Sequence, residues 1–177
     1  MKRLAAFLRR FRRDEDANAT IEFAILVPLM LTFCLSTIEL GILLTRQVML
    51  DRGMDIAVRQ VRIGIMDPVN HDTLKAAICD AALIIPDCIN QVKLEMRPAQ
   101  PRAFTPLASN VDCIDREDAS IPARTFNPGQ QNQLMLLRAC ALFDPFFPTT
   151  GLGGQLQRES GNAYALVSTT SYVVEPR

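Results

Sequence analysis

Apolar residues dominate one unbroken stretch near the start of the chain, ANATIEFAILVPLMLTFCLSTIELGILL at residues 17–44. Residues 23–38 hold no charge, and Glu22 and Glu39 sit close to the two ends of the stretch. A helix rises about 1.5 Å per residue, so a bilayer core of about 30 Å needs roughly 20 residues, which residues 21–44 supply. The pattern predicts a membrane span, with Glu22 at the inner edge and Glu39 snorkelling or pairing about a turn and a half inside the outer edge. A buried core helix is the alternative with the same composition. From Thr45 the pattern becomes amphipathic. Leu50, Met54, Ala57 or Val58, Val61 and Ile65 recur at helical spacing, while Arg46, Asp51, Arg52, Asp55, Arg59, Gln60 and Arg62 fall mostly elsewhere. One long helix should therefore run from near residue 18 to about Ile63, with its outer half packed on the rest of the chain. Gly64 and then Asp67-Pro68 end it.

Further on, Asp72 is a plausible cap for a short second helix reaching about Leu83, and Pro86-Asp87 breaks it. Residues 90–97 alternate Val92, Leu94 and Met96 against Gln91, Lys93, Glu95 and Arg97, the signature of a strand with one buried face. Pro98, Pro101, Pro106, Pro122 and Pro128 mark residues 98–133 as a long surface connection, a place for a partner-binding surface or a variable loop. Residues 134–143 are nearly all apolar with Arg138 inside, which reads as a buried strand stopped by Asp144-Pro145. Residues 148–154 read as an apolar, turn-rich loop, and residues 162–175 as a final strand. Strands against a long helix predict an α+β fold with a short antiparallel sheet. The expected divisions are residues 1–17 as a basic leader, 18–66 as the long helix and 67–177 as an exported domain.

Charge adds an orientation. Lys2, Arg3, Arg9, Arg10, Arg12 and Arg13 precede the apolar stretch with no acid among residues 1–13, although the whole chain carries no net charge. Leu4, Ala5, Phe7, Leu8 and Phe11 between them allow a short amphipathic helix on an anionic membrane surface. Positive flanks stay in the cytoplasm, so the C-terminal part should lie outside it. A nucleic-acid contact is the rival for any basic run, but no recognition motif or second basic patch accompanies it. The apolar run exceeds an ordinary signal-peptide core, and bulky Phe33 before Cys34 argues against a lipoprotein site. Cys34 reads as a small apolar residue facing lipid or a neighbouring helix.

Four cysteines lie beyond the span: Cys79, Cys88, Cys113 and Cys140. Four allow three pairings. Cys79–Cys88 would clip the second helix to the following strand, and Cys113–Cys140 would tie the long loop to the next strand. Each would stabilise by roughly 2–4 kcal/mol. Free buried thiols and a zinc site are the alternatives, although no C-x-x-C pair favours zinc. Catalysis has little to stand on. His71 is the only histidine and no nucleophile or base motif accompanies it. Asp112, Asp115, Glu117 and Asp118 form an acidic cluster without the spacing or glycine of an EF-hand, and read as a solvated loop. No glycine loop for phosphate appears. No catalytic residue, metal or cofactor is expected.

The segment RDEDANATIEFAILVP at residues 13–28 resembles the N-terminus of TadE-like proteins, the minor pilins or pseudopilins of the Tad (tight adherence) branch of type IV pili. Glu22-Phe23 and Pro28 match the family pattern of Glu-Phe or Glu-Tyr followed by an apolar helix with an early proline. The ending STTSYVVEP at residues 168–176 is similar to the family's last strand and closing Glu-Pro. In the family a prepilin peptidase cuts after a Gly five residues before the Glu, and here that position is Ala17. Cleavage after Ala17 would start the mature chain at Asn18, four residues from Glu22 on one helix face. The resemblance implies that Glu22 pairs with the terminal amine of a neighbouring subunit, and the alternative is an interfacial Glu facing headgroups. Pro28 removes a backbone donor and should bend or locally melt the helix, or be merely tolerated in a membrane helix. The resemblance further implies pilin and minor-pilin partners, an inner-membrane assembly platform with its ATPase, and no enzymatic activity. It places the chain in a bacterial inner membrane with the C-terminal domain periplasmic, or in the pilus after assembly. A bitopic scaffold or binding protein that never leaves the membrane is the competing reading.

Overall fold

The computed structural model describes residues 18–103, 106–117 and 121–176. The basic leader, with Ala17, and Asp118 of the acidic cluster lie outside the described residues. Helix α1 (Asn18–Arg62) is one continuous helix of 45 residues, about 68 Å long at 1.5 Å per residue. It ends at Gly64, which takes the left-handed conformation at φ 75°. Gly64 N–H donates to the Val61 carbonyl and Ile65 N–H to the Gln60 carbonyl, so two of the last free carbonyls are satisfied. The expected one-sided packing of its outer half is present: Leu50, Met54, Ala57, Val58 and Val61 are buried in the core.

Helix α2 (His71–Ala81) returns alongside α1. Its cap is Asn70 rather than Asp72. The Asn70 side chain accepts from Thr73 N–H at 2.8 Å and the Thr73 hydroxyl accepts from Asn70 N–H at 3.0 Å, a reciprocal box with Thr in place of the usual acid. The helix stops at Ala81, short of Leu83, and a single turn, α3 (Cys88–Gln91), leads into the sheet. At Gly53 α1 packs tightly against α2. A Cβ there would lie 2.7 Å from the Ile78 carbonyl oxygen and 3.0 Å from the Ala82 Cβ.

Strands β1 (Val92–Ala99), β2 (Leu134–Phe143) and β3 (Tyr164–Val173) form an antiparallel sheet in the order β1-β2-β3. The register puts Val92, Leu94 and Met96 opposite Ala141, Ala139 and Leu137, and these face α1 and α2 in the main core. The polar face of β1 was expected to be solvated. It is covered instead, because residues 106–117 and 121–127 cross it as a second layer rather than a free surface loop. Glu95 stands opposite Arg138, whose Nε donates to the Glu95 carboxylate at 3.1 Å and whose Nη1 donates to the Ala108 carbonyl at 2.7 Å. Lys93 pairs with Asp112 at 3.0 Å. Burial pushes the Asp112 carboxyl up, but the Arg124 N–H and the Lys93 ammonium outweigh it and hold the carboxyl below its ordinary value. Charges removed from water persist only when paired in this way.

Disulfides join Cys79 to Cys88 and Cys113 to Cys140. The second fixes the covering layer to β2, where Val111, Cys113 and Ile114 pack on Cys140 and Leu142. The outer edge of β1 is also occupied. Met96 N–H donates to the Thr125 carbonyl and Asn127 N–H to the Met96 carbonyl, both at 2.9 Å. His71 lies under this edge rather than on an open surface. Its Nε2 accepts from Leu94 N–H at 3.3 Å and its ring meets Phe126 edge-on. The loop expected at 148–154 contains a short helix, α4 (Gly151–Gln155).

Two measurements test this packing. Gly53→Val should push α2 off α1 and destabilise the domain by about 1–3 kcal/mol, read as a lower thermal midpoint. Burial raises the phenol of Tyr172 to about 12 and that of Tyr164 above its ordinary value, in the latter case against the opposing pull of Arg46. The chain has two tyrosines. Ultraviolet titration of the folded protein should therefore show both phenolates forming above the ordinary value near pH 10, and both forming at that value after denaturation. The unfolded chain loses these protons first, so this contribution to stability is full below about pH 10 and is lost as pH rises towards 12.

Candidate functional site

The functional candidate is α1 itself, which changes character along its length. Residues 19–34 are exposed apart from Val27, which is half-buried. The most apolar 18-residue window of α1 has a mean hydropathy of 2.1 with none of it buried. Glu22 is the one charged side chain among residues 18–38. It is exposed and has no ion-pair or hydrogen-bond partner among the described residues. Helical spacing puts Ile25, Leu26, Leu29 and Phe33 on its face, all exposed. Asn18 opens the helix one turn before Glu22, Phe23 is exposed beside it, and Pro28 lies inside the helix. The helix does not melt at Pro28. The proline leaves the Ala24 carbonyl without its usual donor. Thr32 Oγ1 donates back to the Pro28 carbonyl and Ser36 Oγ to the Thr32 carbonyl, so the next two turns carry extra side-chain bonds.

The covered part of α1 begins at Ser36 and Glu39. Glu39 is 0% exposed. Its carboxylate accepts from Phe146 N–H at 3.1 Å and from Phe147 N–H at 2.9 Å. Three residues earlier, Ser36 Oγ accepts from Leu152 N–H at 3.3 Å. The acid was expected to snorkel or pair. It pairs, and its partners are backbone donors from the turn after β2, so no complementary charge in the sequence could have revealed them. About two turns further along, Arg46 donates to the Asp144 carbonyl at 3.2 Å and the Tyr164 hydroxyl at 3.1 Å, and lies over the Phe143 ring. At the far end Arg62 pairs with Glu175 at 2.8 Å.

No three His, Cys, Asp or Glu side chains among the described residues are placed to hold a metal ion. Of the acidic cluster, Asp112 is tied to Lys93 and Asp115 accepts from Glu117 N–H.

A long apolar helix bare over its first half and built into a disulfide-bonded α+β domain over its second has the architecture of a single-pass membrane protein with an extracytoplasmic domain. Residues 18–59 match the model of the TadE-like protein family. The match ends inside α1, so the sheet domain lies outside it. No curated protein and no solved structure matches the chain.

Glu39→Gln keeps the side-chain volume but leaves a single acceptor oxygen for two donors. Hydrogen exchange should quicken at the amides of Phe146 and Phe147 and stay unchanged at the β1–β2 ladder. One lost bond to a charged acceptor corresponds to about 1.5–3 kcal/mol of local opening.

Proposed function

We propose that this chain is a minor pilin, or pseudopilin, that joins or primes a Tad-type adhesive pilus through packing of α1. The observation that supports this reading is Glu22, an exposed carboxylate on an apolar rod, without a partner among the described residues. In an apolar setting such a charge is unfavourable unless paired. A helix of the same kind packed beside it, with a terminal amine at the right height, would satisfy it. Removal of both charges from lipid makes the pairing selective, since a misregistered neighbour leaves a charge unsatisfied. The match of residues 18–59 to the TadE-like family supports the Tad setting.

In this reading Ala17, outside the described residues, is the processing position. The peptidase releases the amine at Asn18, and Glu22 and Phe23 direct docking. Pro28 removes one ladder bond and eases the helix into its packed form. The partners are other pilin and minor-pilin subunits and the inner-membrane platform, with the C-terminal domain in the periplasm before assembly. The protein carries out no chemistry of its own. The second reading, a bitopic inner-membrane scaffold with a periplasmic domain, is favoured by one observation: alanine stands at position 17 where the family has glycine.

Intact mass of the membrane-extracted protein, from cells with and without a functional prepilin peptidase, separates the two. A peptidase-dependent start at Asn18 supports the pilin reading, and a start at Met1 in both strains supports the scaffold. Glu22→Ala should abolish recovery of the protein in sheared pili while leaving its membrane level and disulfides unchanged. Undiminished recovery would remove the docking role.

A further inference from the structure

The turn after β2 and helix α4 run beside the apolar helix rather than beside its amphipathic half. Leu152 N–H reaches Ser36, and Phe146 and Phe147 N–H reach Glu39. A Cβ on Gly151 would fall 2.3 Å from Ser36 Oγ and 3.5 Å from the Thr32 carbonyl oxygen, so this backbone touches α1 itself. Ser36 to Leu44 is eight residues, about 12 Å of helix. A bilayer edge at Leu44 would sink this irregular segment about 12 Å into hydrocarbon, where lipid-exposed backbone outside a helix or closed barrel has no donors or acceptors.

We propose that residues 145–156 form a foot resting in the outer headgroup–acyl boundary of the lipid bilayer, and that this boundary lies at Ser36–Glu39. The proposal rests on α1 crossing the bilayer. The helix is long enough, because residues 18–39 alone span about 32 Å against a core of about 30 Å. The foot has the chemistry of an interfacial segment. Phe146 is 64% exposed, with its ring edge-on to Phe147 at 5.1 Å. Thr149 and Thr150 beside them are exposed and polar. Behind them the Arg158 guanidinium holds the Pro148 carbonyl at 3.0 Å and the Gly153 carbonyl at 2.9 Å, which satisfies backbone that would otherwise face lipid. An apolar side chain facing the acyl region with polar groups at its rim is the pattern that partitions to the interface. Glu39 then needs no snorkelling, since the two N–H groups of the foot replace its water at that depth.

The chain has no tryptophan, so one introduced residue reports alone. Phe146→Trp is placed in the full-length protein, reconstituted in phosphatidylcholine–phosphatidylglycerol vesicles. Thr149→Trp is a second reporter on the foot in case the first disturbs the fold. Leu29→Trp marks mid-span, and Ile65→Trp, at a position 72% exposed beyond the far end of α1, marks water. The foot reporters should emit to the blue of Ile65→Trp. They should lose most of their emission to lipids brominated high on the acyl chain and less to lipids brominated near its end, with Leu29→Trp showing the reverse order. If Leu29→Trp is quenched by brominated lipid and both foot reporters are not, the foot is overturned and the anchor stands. If none is quenched, α1 does not cross and both readings fall. Blue-shifted foot reporters shielded from brominated lipid and from aqueous iodide alike would mean that protein covers the segment, which also overturns the proposal.

Discussion

A carboxylate in the path of an apolar helix has to find hydrogen-bond donors or water, and Glu39 finds donors in the backbone of its own chain. That pair of bonds fixes the height at which the sheet domain meets α1. Towards Asn18 from Thr32 the helix is mostly exposed, and beyond Glu39 it is the wall of a core. The turn at Phe146-Phe147 ends β2, so the clasp also sets where the central strand stops. Arg46 repeats the arrangement about two turns on, by holding the Asp144 carbonyl and the Tyr164 hydroxyl. The register between helix and sheet therefore rests on polar contacts of defined geometry, with the apolar packing of Leu50, Met54 and Ala57 filling in behind them. Apolar packing alone is tolerant of sliding, whereas directed bonds to a buried charge are not.

The other face of the sheet is held differently. Glu95–Arg138 and Lys93–Asp112 lie beneath a layer with no regular structure of its own. Buried pairs of this kind add little net stability over apolar substitutes, but they penalise misplacement of either partner. The Cys113–Cys140 bond closes the same layer covalently. A chain segment rich in proline is thereby held in one path across the sheet without a helix or strand to hold it. Such a layer suits an oxidising compartment, because reduction would release its only covalent tie.

Periodicity made α1, β1, β2 and β3 legible in the sequence, because each buries one face or nearly all of its residues. The end of α1 at Gly64 was legible for a local reason, its positive φ. Asn70 was missed as a cap because the acid at Asp72 looked like the stronger signal, while the box it forms uses Thr73. The burial of Lys93 and Glu95 was hidden for a deeper reason. Alternation shows that two faces differ, not that the polar one is wet, and the partners Arg138 and Asp112 come from segments that only topology brings near. Arg138, a lone charge in an otherwise apolar strand, was the one local sign of a buried pair. In the apolar stretch, Glu22 stood out as a charge at its inner edge, while Phe23 and Pro28 stood out through the resemblance to the TadE-like pattern. The donors to Glu39 are main-chain groups, which no side-chain pattern can display.

The unbroken helix also makes the molecule a lever. About 35 Å of α1 extends beyond Glu39 to Arg62, and it is bonded to the domain at both ends. Domain and span therefore cannot pivot separately. A tilt of the span by about 20°, ordinary for a membrane helix, would swing Arg62 sideways by about 12 Å, and the whole sheet with it. The direction in which the domain points is thus governed by bilayer thickness and by whatever leans against the bare half of the rod.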